Sequence, residues 1–204
     1  MNENHAKLCP SPEWAEHIQA DVLPFLSSIA EFGEKMLELG PGPGAATDWL
    51  RRRVRRLSVV ENDEVAAKAL SGRFRGDNVD VIVGDATRLE LGDDAFDSVG
   101  SFTMLHHLPT SQLQQRLLSE VHRVLRPGGA FVGSDSLASA GLHEFHEGDT
   151  YNPMDPASFL VRLQAVGFVR ITLVVDDILK FVAHKPDLRD TLTNDHDSTR
   201  KDLS

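Results

Sequence analysis

The stretch Glu38-Leu39-Gly40-Pro41-Gly42-Pro43-Gly44 joins an apolar run that ends at Leu39 to an amphipathic segment that begins at Ala45. Glycines between a predicted strand and a predicted helix allow a tight turn, and they leave no Cβ to keep a ligand away from the main chain. Three glycines at alternate positions therefore predict a ligand-binding loop after the first strand of an α/β sheet.

Two classes of ligand suit such a loop. The first two glycines and Ala45 match the dinucleotide pattern G-x-G-x-x-G/A, which indicates a nicotinamide cofactor. Pro41 and Pro43, however, remove two backbone N–H donors that a pyrophosphate needs. The Glu38 carboxylate would repel a phosphate and attract a cationic group. The residues therefore favour a ligand with a ribose and an ammonium group over a ligand with a diphosphate.

Outward from the loop, short apolar runs alternate with longer amphipathic ones. Strands are predicted at Met36–Leu39, Leu57–Val60, Val79–Val83, Phe96 to about Met104 and Ala130–Gly133, and helices at Ala45 to about Arg53, Asp63 to about Leu70, Ser111–Leu125 (capped by Ser111) and Pro156 to about Val166. This alternation predicts a parallel sheet with helices on both faces. Only Asp176 and Asp177 separate Val169–Val175 from Ile178–Ala183, so these last two strands form a hairpin and the sheet ends antiparallel.

The same pattern divides the chain into three segments. Residues 1–34 are predicted to be an N-terminal helical segment that Ser11 caps, with Pro12 at its first position and a break or kink at Pro24. We expect this segment to pack on the sheet domain, residues 35–185, rather than act as a lid. Residues 186–204 are polar and have little to bury, which predicts a disordered tail.

Composition excludes several classes of function. The chain has 204 residues with a net charge of −10, which disfavours nucleic-acid binding because phosphates require a surplus of basic side chains. A single cysteine, Cys9, excludes a disulfide scaffold and a cysteine-based metal cluster. The sequence has neither an apolar run of about 20 residues nor a secretory leader. We expect a cytoplasmic protein that does not bind membranes.

Acidic residues also end the next two predicted strands. Glu61 follows the second strand, where a carboxylate can accept hydrogen bonds from two ribose hydroxyls. Asp85, in Gly84-Asp85-Ala86, follows the third strand and can accept from an exocyclic amine such as that of adenine. Each acid alone is equally typical of a surface loop. Together with Glu38, they predict a nucleoside site at the carboxyl edge of the sheet.

With these motifs the sequence resembles the class I S-adenosylmethionine-dependent methyltransferases over about Lys35 to His184. The resemblance is carried by Glu38–Gly44, Glu61, Gly84-Asp85-Ala86, Phe96-Asp97 and Leu125-Arg126-Pro127-Gly128-Gly129. It implies a Rossmann-like, seven-stranded sheet of order 3-2-1-4-5-7-6 with an antiparallel last strand. It further implies transfer of a methyl group from S-adenosylmethionine to an O, N or C atom of a small-molecule acceptor. Within the family, the sequence looks most similar to the ubiquinone/menaquinone and secondary-metabolite branch.

The resemblance also implies which residues contact the cofactor, all of them at the carboxyl ends of strands. They are Glu38, Gly40, Pro41 and Gly42 for the methionine part, Glu61 and Asn62 for the ribose, Asp85 and Ala86 for the adenine, and the main chain near Ser101 and Phe102 for the amino group.

Histidines follow the fourth and fifth strands, at the edge where the methyl group would point. His106 or His107, with a preference for His106, is a candidate general base because imidazole titrates near neutral pH. His143 is a third catalytic candidate, in the segment 143–151, which can also contact the acceptor. His143 and His146, with two acids of that segment, have the spacing of a metal site, but we predict no metal there. The alternative is that these histidines only pack or bond the main chain.

Two other functions remain open at this stage. A nicotinamide-dependent dehydrogenase would bind a dinucleotide, which Glu38 and the two loop prolines disfavour. A catalytically silent S-adenosylmethionine-binding module would keep the cofactor pocket without a competent acceptor site, and the sequence does not distinguish it from an enzyme.

Overall fold

Seven strands form one sheet in the structure, a computed structural model that describes residue 2 and residues 7–187. The strands are β1 (Lys35–Leu39), β2 (Arg56–Glu61), β3 (Val79–Val83), β4 (Phe96–Phe102), β5 (Leu125–Asp135), β6 (Val169–Val175) and β7 (Leu179–His184). Their spatial order is β3-β2-β1-β4-β5-β7-β6. Strand β7 runs antiparallel to both of its neighbours, β5 and β6, and thus opposite to the other six strands. The predicted strand order and the antiparallel ending are therefore confirmed, whereas residues 188–204 of the predicted tail lie outside the described residues.

Helices precede the first strand and form most of the connections between strands. They are α1 (Pro12–Glu16), α2 (Leu23–Ile29), α3 (Ala45–Leu50), α4 (Glu64–Arg73), α5 (Ser111–Val124), α6 (Ala140–Phe145) and α7 (Pro156–Val166), with a π-helical segment (His17–Val22) and a 3₁₀ turn (Leu105–His107). Among residues 7–187, none of these helices is both long and apolar enough to cross a membrane.

Alternate strand residues face two separate cores, which places helices on both faces as predicted. Leu37 and Phe131 belong to one core, together with apolar residues of α5 and α7. Met36 and Val132, their direct neighbours in sequence, belong to the other core, which α2 and α3 cover. The period of two in each strand thus determines which helix layer a side chain meets.

The N-terminal helix begins where the sequence predicts it and continues past Pro24. Ser11 accepts a hydrogen bond from the backbone N–H of Trp14, which confirms the cap. Pro24 does not break the helix, because the π-helical segment precedes it and the N–H of Leu23 donates to Ile18 O. A proline lacks the N–H and its ring collides with the preceding turn of a regular α-helix, and the wider π-helical turn accommodates both defects.

Two predicted boundaries were wrong. Thr110 rather than Ser111 caps α5, because Thr110 has extended backbone angles and its side chain accepts from Leu113 N. Strand β5 begins at Leu125 rather than Ala130. The glycine-rich stretch ahead of Ala130 stays extended because Lys185 pairs with it: Gly128 N donates to Lys185 O and Lys185 N donates to Gly129 O.

Candidate cofactor and acceptor site

The carboxyl ends of the parallel strands meet at one edge of the sheet. Strand β1 lies between β2 and β4, so the chain leaves β1 toward one side of the sheet and later returns on the other side. A crevice opens at such a reversal of strand order, and ligands of α/β proteins bind there. The glycine loop follows β1 directly and therefore lies at the mouth of this crevice.

Three glycines give the loop its shape. Gly40, Gly42 and Gly44 have φ values of +62°, +53° and +88°, a region that residues with a Cβ rarely adopt. A Cβ on Gly40 would lie 2.4 Å from Met104 Cγ, whereas a Cβ on Gly42 would meet no heavy atom within 4 Å. Gly40 is therefore required by packing, and Gly42 faces open space as expected of a ligand cradle.

Glu38 lies buried beneath the loop. Its side chain is 2% exposed, and Thr47 Oγ1 donates to Glu38 Oε2 at 2.7 Å. Burial raises the pKa of the Glu38 carboxyl to about 7, and the charge of Glu61 adds to this increase. A cationic ligand group in the crevice would reverse this effect by stabilising the carboxylate.

Glu61, at the end of β2, holds the loop in place. Its Oε2 accepts from Gly42 N at 3.2 Å and its Oε1 accepts from Asp63 N at 3.1 Å. The sequence did not predict the bond between Glu61 and the loop, because it joins two strand ends that only the sheet brings together. Asn62 follows on the exposed side of the same strand end.

Asp85 lies at the end of β3, beside a cavity of about 160 Å³. Its Oδ1 accepts from both the N–H and the hydroxyl of Thr87, each at 2.7 Å. Ala86, the residue between them, is partly buried. The cavity is lined by Val60, Ile82, Val83, Gly84, Asp85, Arg88, Leu89, Glu90 and Leu91. Apolar residues thus line the cavity together with Arg88 and two acids, Asp85 and Glu90, and such a lining suits a heteroaromatic ring that carries an amine.

The ends of β4 and β5 contribute buried polar atoms. Ser101 and Ser134 are fully buried, and their Oγ atoms have no hydrogen-bond partner among the described residues. Buried hydroxyls without a partner cost free energy unless a water or a ligand satisfies them. Phe102, also buried, ends β4 next to Ser101.

The backbone is strained where β4 ends. Thr103 has a φ of +54°, which is unfavourable for a β-branched residue. Its N–H donates to Ser134 O at 2.7 Å, which holds it in this conformation. Such strain concentrates at functional sites, and here it turns the chain into the 3₁₀ turn that carries His106 and His107.

His106 and Asp135 form a buried pair across neighbouring strands. The distance from His106 Nδ1 to Asp135 Oδ1 is 2.7 Å, and the side chains are 3% and 0% exposed. Asp135 also accepts from the N–H groups of Leu105 and Ser136, each at 2.7 Å. A carboxylate can only accept, so His106 donates through Nδ1 and carries its lone pair on Nε2.

His107 and His146 complete a cluster around His106. The ring centroids lie 4.0 Å apart for His106 and His107, 5.0 Å for His106 and His146, and 5.7 Å for His107 and His146. Tyr151 stacks on His146 at 4.2 Å. Burial lowers the pKa of His146, so its ring is neutral at pH 7.

His143 lies apart from this cluster. It is exposed on the short helix α6, and its ring centroid is 6.3 Å from that of Tyr151. The structure therefore groups His146 with His106 and His107 rather than with His143. Sequence analysis missed Asp135 as a member of the site, although it is another acid at a strand end, the signal that found Glu61.

This strand order, with a glycine loop after β1 and acids after β2 and β3, defines the class I Rossmann-like methyltransferase fold. Over residues 37–133 the chain matches the model of the methyltransferase domain family.

Individual relatives agree with this assignment. The chain is 34% identical over 102 residues to a probable S-adenosylmethionine-dependent methyltransferase of Mycolicibacterium smegmatis. It is also 34% identical over 105 residues to a phthiotriol/phenolphthiotriol dimycocerosates methyltransferase of Mycobacterium tuberculosis. Each match covers 50% of this chain and 38% of the relative, so the chain spans well under half of these proteins.

Among solved structures, a phosphoethanolamine N-methyltransferase 2 of Haemonchus contortus, in complex with S-adenosylmethionine, has the same fold. The TM-score is 0.69 at 15% identity, over 92% of this chain and 61% of the other.

Proposed function

We propose that this protein transfers a methyl group from S-adenosylmethionine to an O, N or C atom of a small-molecule acceptor. The observation that carries the proposal is the juxtaposition, at one sheet edge, of the open loop at Gly42 with the buried Glu38 and with Glu61. The match of residues 37–133 to the methyltransferase domain family supports it.

The residues present at the crevice suit this cofactor along its whole length. Glu38 offers a carboxylate to the ammonium group, and Glu61 lies where a ribose would bind, once its bond to Gly42 N is exchanged. The cavity beside Asp85 accommodates the adenine. Ser101 Oγ, buried without a protein partner among the described residues, is an additional polar group for the amino-acid part. When bound, S-adenosylmethionine supplies a methyl group on a sulfonium, which needs no acid to leave.

His106 is the base that this geometry supports best. Asp135 fixes its tautomer, so Nε2 can take the proton of an acceptor hydroxyl as the nucleophile forms. Burial of the pair excludes water and keeps the imidazole in one orientation. His107 is the second candidate because its ring is adjacent. His143 is exposed on α6 and is proposed only as a contact for the acceptor.

An acceptor that is not a protein or a nucleic acid agrees with the names of two proteins that this chain resembles. Those proteins are named for phthiotriol/phenolphthiotriol dimycocerosates and for phosphoethanolamine. The resemblance to the ubiquinone/menaquinone branch stays a prediction about the acceptor class.

Calorimetric titration with S-adenosylhomocysteine, with NADH titrated in parallel, tests the proposal. We expect saturable binding of the first compound at one site and no binding of NADH. Binding of NADH alone would instead indicate a dehydrogenase, with Glu61 at a dinucleotide ribose.

The transfer itself is tested by release of S-adenosylhomocysteine in the presence of a panel of phenols, quinols and amines. An acceptor that the wild type methylates and that His106→Ala methylates far more slowly would separate an enzyme from a silent cofactor-binding module.

A further inference from the structure

We propose that His106, His107 and His146 bind one divalent transition-metal ion, for which Zn²⁺ is the best match. One ring nitrogen of each residue lies within 4.8 Å of the others. Three imidazoles with a fourth position open to water or substrate are an established ligand set for zinc. The binding of the ion stands on this geometry alone, whereas its use in methyl transfer rests on the function proposed above.

The hydrogen bonds of two of these histidines select the tautomer that a metal requires. Asp135 Oδ1 accepts from His106 Nδ1 at 2.7 Å, and Leu142 O accepts from His146 Nδ1 at 2.5 Å. A neutral imidazole that donates through Nδ1 carries its lone pair on Nε2. Ligand histidines almost always donate their other N–H to a carboxylate or a backbone carbonyl. His106 has a carboxylate as this partner, and His146 has a backbone carbonyl.

The orientation of His107 is informative because it is adjacent to His106 in a 3₁₀ turn. Successive side chains of such a turn project about 120° apart. The two ring centroids nevertheless lie only 4.0 Å apart, and His107 is 5.7 Å from His146. The rings therefore lie close together instead of diverging toward solvent, with one nitrogen of each within 4.8 Å of the others.

The charge balance of the buried group also favours a cation. Asp135 is fully buried, and it contacts the N–H groups of Leu105 and Ser136 and Nδ1 of His106. A buried carboxylate is costly unless a nearby cation compensates its charge. A divalent ion on the imidazoles would compensate it.

Only a small adjustment is needed to bind the ion. Nitrogens about 2.0–2.1 Å from a tetrahedral zinc lie about 3.4 Å from one another. The nitrogens of the cluster lie within 4.8 Å of one another, so no distance between two of them has to shorten by more than about 1.4 Å. His107 is only partly buried and can rotate to make this movement. Tyr151 stacks on His146 and keeps that ring in place.

The fourth position of the ion would take a hydroxyl, a thiol or a water molecule. Coordination lowers the pKa of such a group, and the released proton passes to the solvent. In the metal-loaded protein this would replace the proton abstraction by His106 described above. The class of ligand expected beside the cofactor is therefore an acceptor with a metal-binding oxygen or sulfur.

The competing explanation is that the three histidines only pack against one another. Calorimetric titration of the EDTA-treated chain, without any polyhistidine tag, with ZnCl₂ distinguishes the two. We expect one ion per chain with a Kd of about 1 µM or tighter, and the intense visible absorption of tetrahedral Co²⁺ when CoCl₂ is added. Sub-stoichiometric binding, or cobalt that stays octahedral, would overturn the proposal.

Variants locate the ion. His107→Ala and His146→Ala should each weaken Zn²⁺ binding by at least about tenfold, and Asp135→Asn by about 10–100-fold. The control His17→Ala, at a partly exposed histidine of the N-terminal segment, should bind like the wild type. If His146→Ala has a lower melting temperature than the wild type, the zinc affinity of His107→Ala tests the proposal instead, because His107 is only partly buried. Equal affinity of His107→Ala and wild type would overturn the proposal, as would loss of binding in His143→Ala alone.

A titration with S-adenosylhomocysteine in the same metal-free samples separates this proposal from the proposed function. Zinc uptake without S-adenosylhomocysteine binding would contradict the methyltransferase and leave the metal site intact. S-adenosylhomocysteine binding without zinc uptake would have the opposite meaning.

Discussion

At the scale of single residues, Glu38 shows how one buried acid serves both the fold and the site. It lies one residue before the end of β1, beneath the glycine loop, and its side chain is almost completely buried. Since burial raises its pKa to about 7, the ligand-free protein holds this side chain neutral in mildly acidic solution. The charged form becomes favourable only when a cation enters the crevice or the pH rises.

This pKa predicts how stability depends on pH. The folded state keeps the Glu38 proton up to about pH 7, whereas the unfolded chain releases it near 4.5. The free energy of unfolding should therefore fall as the pH rises from about 4.5 to 7, by about 3 kcal/mol from this group, and then level off. Glu38→Gln should remove this decrease. Urea denaturation at pH 5 and pH 8 measures it, with the exposed Glu90→Gln as control. An identical pH slope in Glu38→Gln and wild type would contradict the assignment.

Two acids at the carboxyl edge carry a prediction about affinity. Glu61→Ala and Asp85→Ala should each weaken S-adenosylhomocysteine binding by about 1–3 kcal/mol, because each removes hydrogen bonds to a charged group. Asp80→Ala is the matched control, since Asp80 is an exposed acid of β3 whose register partner is Ser58, away from the strand ends. Calorimetry measures all three variants, and full affinity in both site variants would show that the ligand binds elsewhere.

At the scale of elements, the glycine loop separates packing from ligand access. Gly40→Ala and Gly42→Ala both place a Cβ at positive φ, which costs about 1–2 kcal/mol in each. Gly40→Ala also drives a methyl group into Met104, so it should lower the free energy of unfolding clearly more than Gly42→Ala. Gly42→Ala should mainly reduce S-adenosylhomocysteine affinity, because its methyl group enters the crevice. Chemical denaturation measures the free energy of unfolding of both variants, and calorimetry measures their affinity for S-adenosylhomocysteine. Equal losses of affinity in the two variants would contradict the placement of Gly42 at the ligand.

At the scale of the whole molecule, the N-terminal helix is part of the core. Leu26 is fully buried and Ile29, three residues later, is 43% exposed. Leu26→Ala should lower the free energy of unfolding by about 2–5 kcal/mol because it leaves a cavity, whereas Ile29→Ala should change it far less. Urea denaturation compares them. A small effect of Leu26→Ala would mean that the helix docks loosely, as a lid would.

The alternating strands and helices and the antiparallel ending were predictable from the sequence because each element carries a local signal. Apolar runs, glycine turns and the two-residue gap at Asp176 and Asp177 are properties of neighbouring residues. The order of the seven strands came from the resemblance to the methyltransferase family, and the structure confirms it. The same local reading found Glu38, Glu61 and Asp85, since each lies at the end of a predicted strand.

Contacts between residues far apart in the chain were decided only by the tertiary structure. The bond of Glu61 to the loop, the pairing of His106 with Asp135 and the inclusion of His146 instead of His143 follow from which strands are neighbours and how the segment after β5 folds back. Spacing along the chain suggested the pair His143 and His146, but spacing reports only which residues share one face of a local helix. Burial and convergence depend on the whole packed chain, and they are what distinguish a site from a sequence pattern.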